Sequence, residues 1–113
     1  MHNFDISVDE TPQRTTITLT GELDLATCPH ITEVTDAMDF RGRTLCLDLS
    51  DVTFIGSTTL NMLLRLRLRA EAEEGILELA GLQYQAERVL DLTGARELFR
   101  IRASRGTSVA QCA

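Results

Sequence analysis

The chain has 113 residues, 43% of them hydrophobic and 25% charged, with a net charge of −6; this is enough for one buried core and too short for two domains. Its arginines are interspersed with glutamates, so it lacks the basic stripe that binds a phosphate backbone, and nucleic acid is not expected as a direct partner. Met1-His2-Asn3-Phe4-Asp5 is no basic-then-apolar leader and no run approaches the roughly 20 apolar residues of a membrane span, so a cytoplasmic protein without a membrane partner is expected.

Phe4-Asp5-Ile6-Ser7-Val8 alternates apolar with polar residues, and Thr15-Thr16-Ile17-Thr18-Leu19-Thr20 does so with β-branched ones. They predict two strands of a hairpin, joined through the polar Asp9–Arg14 stretch and its Pro12. Gly21-Glu22-Leu23-Asp24 closes the second strand and leads into a helix. Thr27 is placed to cap that helix and Pro29 falls in its first turn, where a missing N–H costs nothing. Ile31, Val34, Thr35 and Met38 carry it to about Asp39.

Arg41-Gly42-Arg43 breaks the pattern, and Thr44 to Leu49 predicts a strand with Leu45, Leu47 and Leu49 on one face. Cys46 leaves the other face partly apolar, as in a strand covered on both sides. Arg65-Leu66-Arg67-Leu68-Arg69 has a two-residue period, but the stripe Leu60, Leu63, Leu64, Leu68, Ala72 and the length of the segment favour a helix. Its Arg67/Glu71 and Arg69/Glu73 pairs are expected on a solvated face, worth about a few tenths of a kcal/mol each. Gly75 supplies the stop. Ile76–Ala80 follows as a short strand, Tyr84–Leu92 as a helix ended by Thr93-Gly94, and Leu98–Ile101 as a last edge strand. Residues 1–103 are thus expected to form a single domain, and 104–113, with few apolar residues, a flexible tail. The fold class is α/β, a small mixed sheet of about five strands with about three main helices, because strands alternating with helices imply crossovers and parallel pairing.

The run from Leu45 to Leu60 is the most informative. An apolar strand passes through a short loop into Ser57-Thr58-Thr59 at the start of a helix, and Gly56 gives the chain freedom to turn there. First-turn amides lack intrahelical partners and carry the positive end of the helix dipole, so a phosphate on Ser57 or Thr58 would be tolerated. The simpler reading is that one of the two is only an N-cap. Cys28, Cys46 and Cys112 are odd in number and lack Cys-x-x-Cys spacing, and neither His2 nor His30 has a second ligand at metal spacing, so reduced thiols and no metal or other cofactor are expected.

In this order of elements, three stretches resemble the STAS superfamily, specifically its single-domain anti-sigma factor antagonists. Gly21-Glu22-Leu23-Asp24 is similar to the loop after that family's second strand, Asp48–Ile55 to its approach to the phosphorylation site, and Leu90-Asp91-Leu92-Thr93-Gly94 to the end of its third helix. The resemblance spans residues 4–103. It implies Ser57 as the phospho-acceptor, with Thr58 as the alternative, and a partner-binding surface of Asp24, Gly56, Ser57, Thr58, Thr59 and Leu60. The implied partner is an anti-sigma factor that is itself a serine kinase, and whose capture frees a sigma factor. Gly56 stands where the family has an aspartate and Thr59 where it has a glycine. Asp24 reads equally well as a turn or cap residue. Catalysis is not expected, since Gly56-Ser57-Thr58-Thr59 lacks the second glycine of a nucleophile elbow and no histidine is placed as a base. The competing function is a non-phosphorylated STAS adaptor in an ABC transporter or signalling scaffold.

Overall fold

The alternation at the start of the chain forms the expected hairpin: β1 (Asp5–Glu10) pairs antiparallel with β2 (Arg14–Leu23), Val8 opposite Ile17 and Ile6 opposite Leu19. The computed structural model describes residues 4–102, so the expected tail at 104–113 lies outside the described residues. After the hairpin come α1 (Cys28–Asp36), β3 (Thr44–Ile55), α2 (Ser57–Ala72), β4 (Ile76–Ala80), α3 (Tyr84–Thr93), a 3-10 turn (Ala95–Leu98) and β5 (Arg100–Arg102). The strands lie in the order β1-β2-β3-β4-β5, all parallel except β1. This is the mixed five-stranded α/β sheet with three helices that the sequence predicted.

Each crossover steps to the next strand in one direction, and right-handed connections then put all three helices on one face. Accordingly Ile31 of α1, Leu63 and Leu66 of α2, and Ala86 and Leu90 of α3 share one buried cluster with Ile17, Leu47 and Leu79. The opposite face carries polar residues, which corrects the expectation that β3 is covered on both sides. There Arg14 on β2 reaches across β3 to Glu78 on β4 at 3.0 Å, Arg102 on β5 joins at 3.4 Å, and Cys46 lies buried on the row between them.

Three boundaries differ from expectation for physical reasons. β3 runs on to Ile55, because after register shifts its far end pairs with β2 through Thr20↔Asp51 and Leu23↔Ile55. α1 stops at Asp36 because Ala37 and Met38 donate to Val34 O and Thr35 O, three residues back, and close the last turn early. The last strand starts later than Leu98, which sits in the 3-10 turn. Gly75 follows α2 as a packing requirement: a Cβ there would lie 2.2 Å from Phe40 O, while the left-handed residue at this helix end is Glu74, with φ 60°. Among the described residues no helix is long and apolar enough to cross a membrane.

Candidate functional site

β2 and β3 end side by side, so their register brings two separate loops together. Leu23 pairs with Ile55, and Gly56 N–H donates to Leu23 O at 3.2 Å, which sets Asp24 at the start of one loop beside Gly56 at the start of α2. The site is the carboxyl end of these strands, where open α/β sheets usually place function.

Gly56, not Ser57 or Thr58, occupies the N-cap position of α2. Its φ of −106° and ψ of −175° are extended, no side chain caps the helix, and the first turn holds no acidic residue. The N-cap reading of the hydroxyls is therefore not what the chain does. Ser57 is instead the first helical residue and is exposed. Each helical step turns the side chain by about 100°, which separates three consecutive hydroxyls by role. Thr58 is half-buried at the mouth of a groove of about 710 Å³ between α1 and α2, lined also by Leu25, Pro29, Glu33, Asn61 and Arg65. Thr59 is fully buried, donates its hydroxyl hydrogen bond to Leu23 O, and lies 3.4 Å from the Cys28 thiol. Thr59 thus latches α2 to the end of β2, with its side chain turned into the core and not toward solvent. Leu60 is half-buried and packs against the core, so it too contributes mainly from within.

Asp24 is a turn residue. Its Oδ1 accepts from the amides of Ala26 at 3.0 Å and Thr27 at 3.1 Å, and its own N–H donates to Thr27 Oγ1 at 2.9 Å. Thr27 occupies the predicted N-cap position of α1, yet its hydroxyl donates to Glu22 O at 3.0 Å instead of accepting from the helix. The half-buried Asp24 carboxylate instead ties the Ala26 and Thr27 amides of the turn that precedes α1. Both strand ends are therefore rigid while Ser57 stays open.

Around Ser57 the surface mixes acidic and apolar groups. Leu25 is 75% and Phe54 42% exposed, Tyr84 on α3 is 73% exposed, and Glu22, which pairs with Phe54 across the strand ends, is exposed. Burial pushes the Cys28 thiol up, with the Thr59 hydrogen bond opposing it, so the thiol is protonated at neutral pH and a weak nucleophile. His30 stacks on Phe4 with ring centroids 5.9 Å apart. Among the described residues no three of His, Cys, Asp and Glu are grouped to hold a metal ion.

A family model described as "Mlab, STAS domain" matches residues 6–101. The chain belongs to the STAS domain family. The anti-sigma-B factor antagonist of Bacillus subtilis (strain 168) is 25% identical over 101 residues, covering 89% of this chain and 93% of that one. The STAS fold is shared with an anti-sigma factor antagonist from Mycobacterium paratuberculosis at a TM-score of 0.76 and 21% identity, covering 96% of this chain and 93% of that one. A sulfate transporter family protein from Wolinella succinogenes superposes at a TM-score of 0.75 and 17% identity, over 91% of this chain and 87% of the other. This STAS domain is thus distantly related to anti-sigma factor antagonists.

Sequence reasoning missed Leu25, Phe54 and the side chain of Gln85, which hydrogen-bonds both backbone groups of Ile55. Leu25 and Phe54 had a signal in their apolar character within loop-like stretches. Gln85 had none, because its partner lies 30 residues earlier.

Proposed function

We propose that this protein is an anti-sigma factor antagonist whose binding to an anti-sigma factor is controlled by phosphorylation of Ser57. The observation that carries the reading is an exposed serine hydroxyl at the first position of α2, where no side chain competes for the first-turn amides. The relation to an anti-sigma-B factor antagonist along 93% of its length supports the partner class. Unmodified, the surface of Ser57, Thr58, Leu25 and Phe54 docks the anti-sigma factor, which is also the serine kinase, and a sigma factor is released.

A phosphate adds about −1.5 to −2 charges. At Ser57 it gains from the helix dipole, so the fold accepts it, while inside a tight interface it costs several kcal/mol through desolvation and repulsion. Glu22 and Asp24 make that end of the sheet acidic before modification. Ser57 is the acceptor in preference to Thr58, which is half-buried against the α1–α2 groove.

The experiment is intact mass and phosphosite mapping of the protein recovered from its native cells, together with a pull-down of bound proteins. Phosphate on Ser57, lost in Ser57→Ala, with a kinase-type anti-sigma factor in the pull-down is the expected result. Absence of phosphate under all growth conditions, with a stable partner that tolerates Ser57→Asp, overturns it in favour of a constitutive adaptor in an ABC transporter or signalling scaffold.

A further inference from the structure

β3 outruns its neighbour on one side. β4 pairs with it only from Thr44↔Ile76 to Asp48↔Ala80, whereas β2 follows it to Leu23↔Ile55. Among the described residues no strand lies beside the other edge of β3 from Ser50 onward, and its backbone groups need other partners. Side chains at the start of α3 provide them. Gln83 Nε2 donates to Ser50 O at 2.7 Å; Gln85 Oε1 accepts from Ile55 N–H at 2.8 Å, and Gln85 Nε2 donates to Ile55 O at 3.0 Å. A carboxamide carries the planar donor–acceptor pair of a peptide group, so Gln85 gives Ile55 the two-way exchange of a hydrogen-bonded strand pair. Gly81 makes the approach possible: at φ +70° a Cβ there would lie 2.7 Å from Ser50 Cβ, so only glycine lets the chain leave β4 this close to β3.

We infer that Gln85 is a positioning residue for the acceptor segment, holding the backbone of Ile55 so that Ser57 is presented in one place. The inference rests on the reading of Ser57 as acceptor. Gly56, the residue between, has no side chain to hold it and no side-chain cap on the helix beyond it. The freedom this leaves is removed from the other side, by an α3 side chain bound to the residue just before the glycine. α3 is thereby coupled to the switch residue, and its exposed Tyr84 lies next to Gln85 in the chain.

The test compares Gln85→Met, which keeps the length and loses both bonds, with Gln83→Ala, which loses only the bond to Ser50. In the full-length protein, amide exchange at Ile55 and Gly56 should accelerate about tenfold or more in Gln85→Met, with β1 and β4 amides unchanged and no such effect in Gln83→Ala. In phosphate transfer by the kinase recovered with the wild-type protein, Gln85→Met should lower kcat and leave KM in place. Unchanged exchange at these two residues, acceleration spread through the whole sheet, or unchanged transfer kinetics overturns the inference. A wild-type protein that never carries phosphate defeats the acceptor reading instead, and local exchange alone then decides whether the clamp operates.

Discussion

Replacing Gly56 with aspartate asks whether the glycine serves the fold or the site. The residue holds an extended conformation open to any L-amino acid, and a Cβ there would sit 3.5 Å from the Phe54 ring, an ordinary contact. No torsional or steric cost is expected. Removing glycine's freedom from the unfolded chain contributes about 0.4–1 kcal/mol. Aspartate exceeds glycine as an N-cap by about a few tenths, and a carboxylate facing the first-turn amides adds about 0.3–1 kcal/mol, two effects that overlap in part. Repulsion from Asp24, across the paired strand ends, subtracts about 0.2–0.5 kcal/mol. The net gain is about 1 kcal/mol, which in a domain of about 100 residues raises Tm by about 4–8 °C. Thermal and urea unfolding followed by circular dichroism measure it, with an unchanged m-value showing that the unfolded state is comparable. A Tm equal to or below that of the wild type would refute the reasoning. A rise would mean that stability does not explain the glycine and that its place before Ser57 belongs to the site.

Thr59→Val should cost about 1–2 kcal/mol by removing the buried hydrogen bond to Leu23 O, while Ser57→Ala, two residues away and exposed, should stay within about 0.5 kcal/mol of the wild type; urea midpoints compare them. Arg69→Met should destabilise by about 1–3 kcal/mol in the same assay, because Arg69 donates to Thr35 O at 2.7 Å and Met38 O at 2.6 Å and lies 4.2 Å over the Phe40 ring. The hydrogen bond from Arg69 holds the Glu73 carboxyl below the usual carboxylate range, so folding favours its charged form. That contribution is complete above the ordinary carboxyl value of about 4.3 and is lost as the pH falls through the lowered folded value. Glu73→Gln should therefore be less stable than the wild type at neutral pH and converge with it in strong acid, measured as Tm against pH.

The elements with a dry face and a wet face were legible in the sequence. Thr16–Thr20 and Leu45–Leu49 alternate because Ile17, Leu19, Leu45, Leu47 and Leu49 point into the core. The second half of β3 was hidden because register shifts near Asp51 and Phe54 disrupt the two-residue period even though pairing with β2 continues. The Arg65–Arg69 ambiguity was real, and the helix resolves it by burying Leu66 and leaving Leu68 60% exposed. The other failures share one cause, a side chain bonding to backbone far away in sequence. Arg69, expected on a solvated face, closes the carbonyl end of α1 from 31 and 34 residues away, and Gln85 reaches back 30. Local periodicity contains no information about such contacts. The place of Ser57 at the start of α2 was legible, because it follows from the strand-to-helix junction. The inward direction of Thr59 was not, because it depends on where α2 begins.

That starting point decides how a modification at this site can act. Were α2 to begin two residues earlier, Ser57 would take the inward position that Thr59 now holds, and a phosphate on it would have to enter the core. With Gly56 as the N-cap, Ser57 faces solvent and Thr59 faces Leu23 O, so a charge can be added without touching the hydrogen bond that holds the helix. A phosphate on Ser57 gains about 0.3–1 kcal/mol from the helix end, against a cost of several kcal/mol in an interface that covers it. The two effects differ in sign and act on different equilibria. Phosphorylation of this residue, as proposed, would therefore change which surface is presented and leave the fold as it was, with the Asp24 turn, the Thr59 latch and the Gln85 clamp holding the backbone around it.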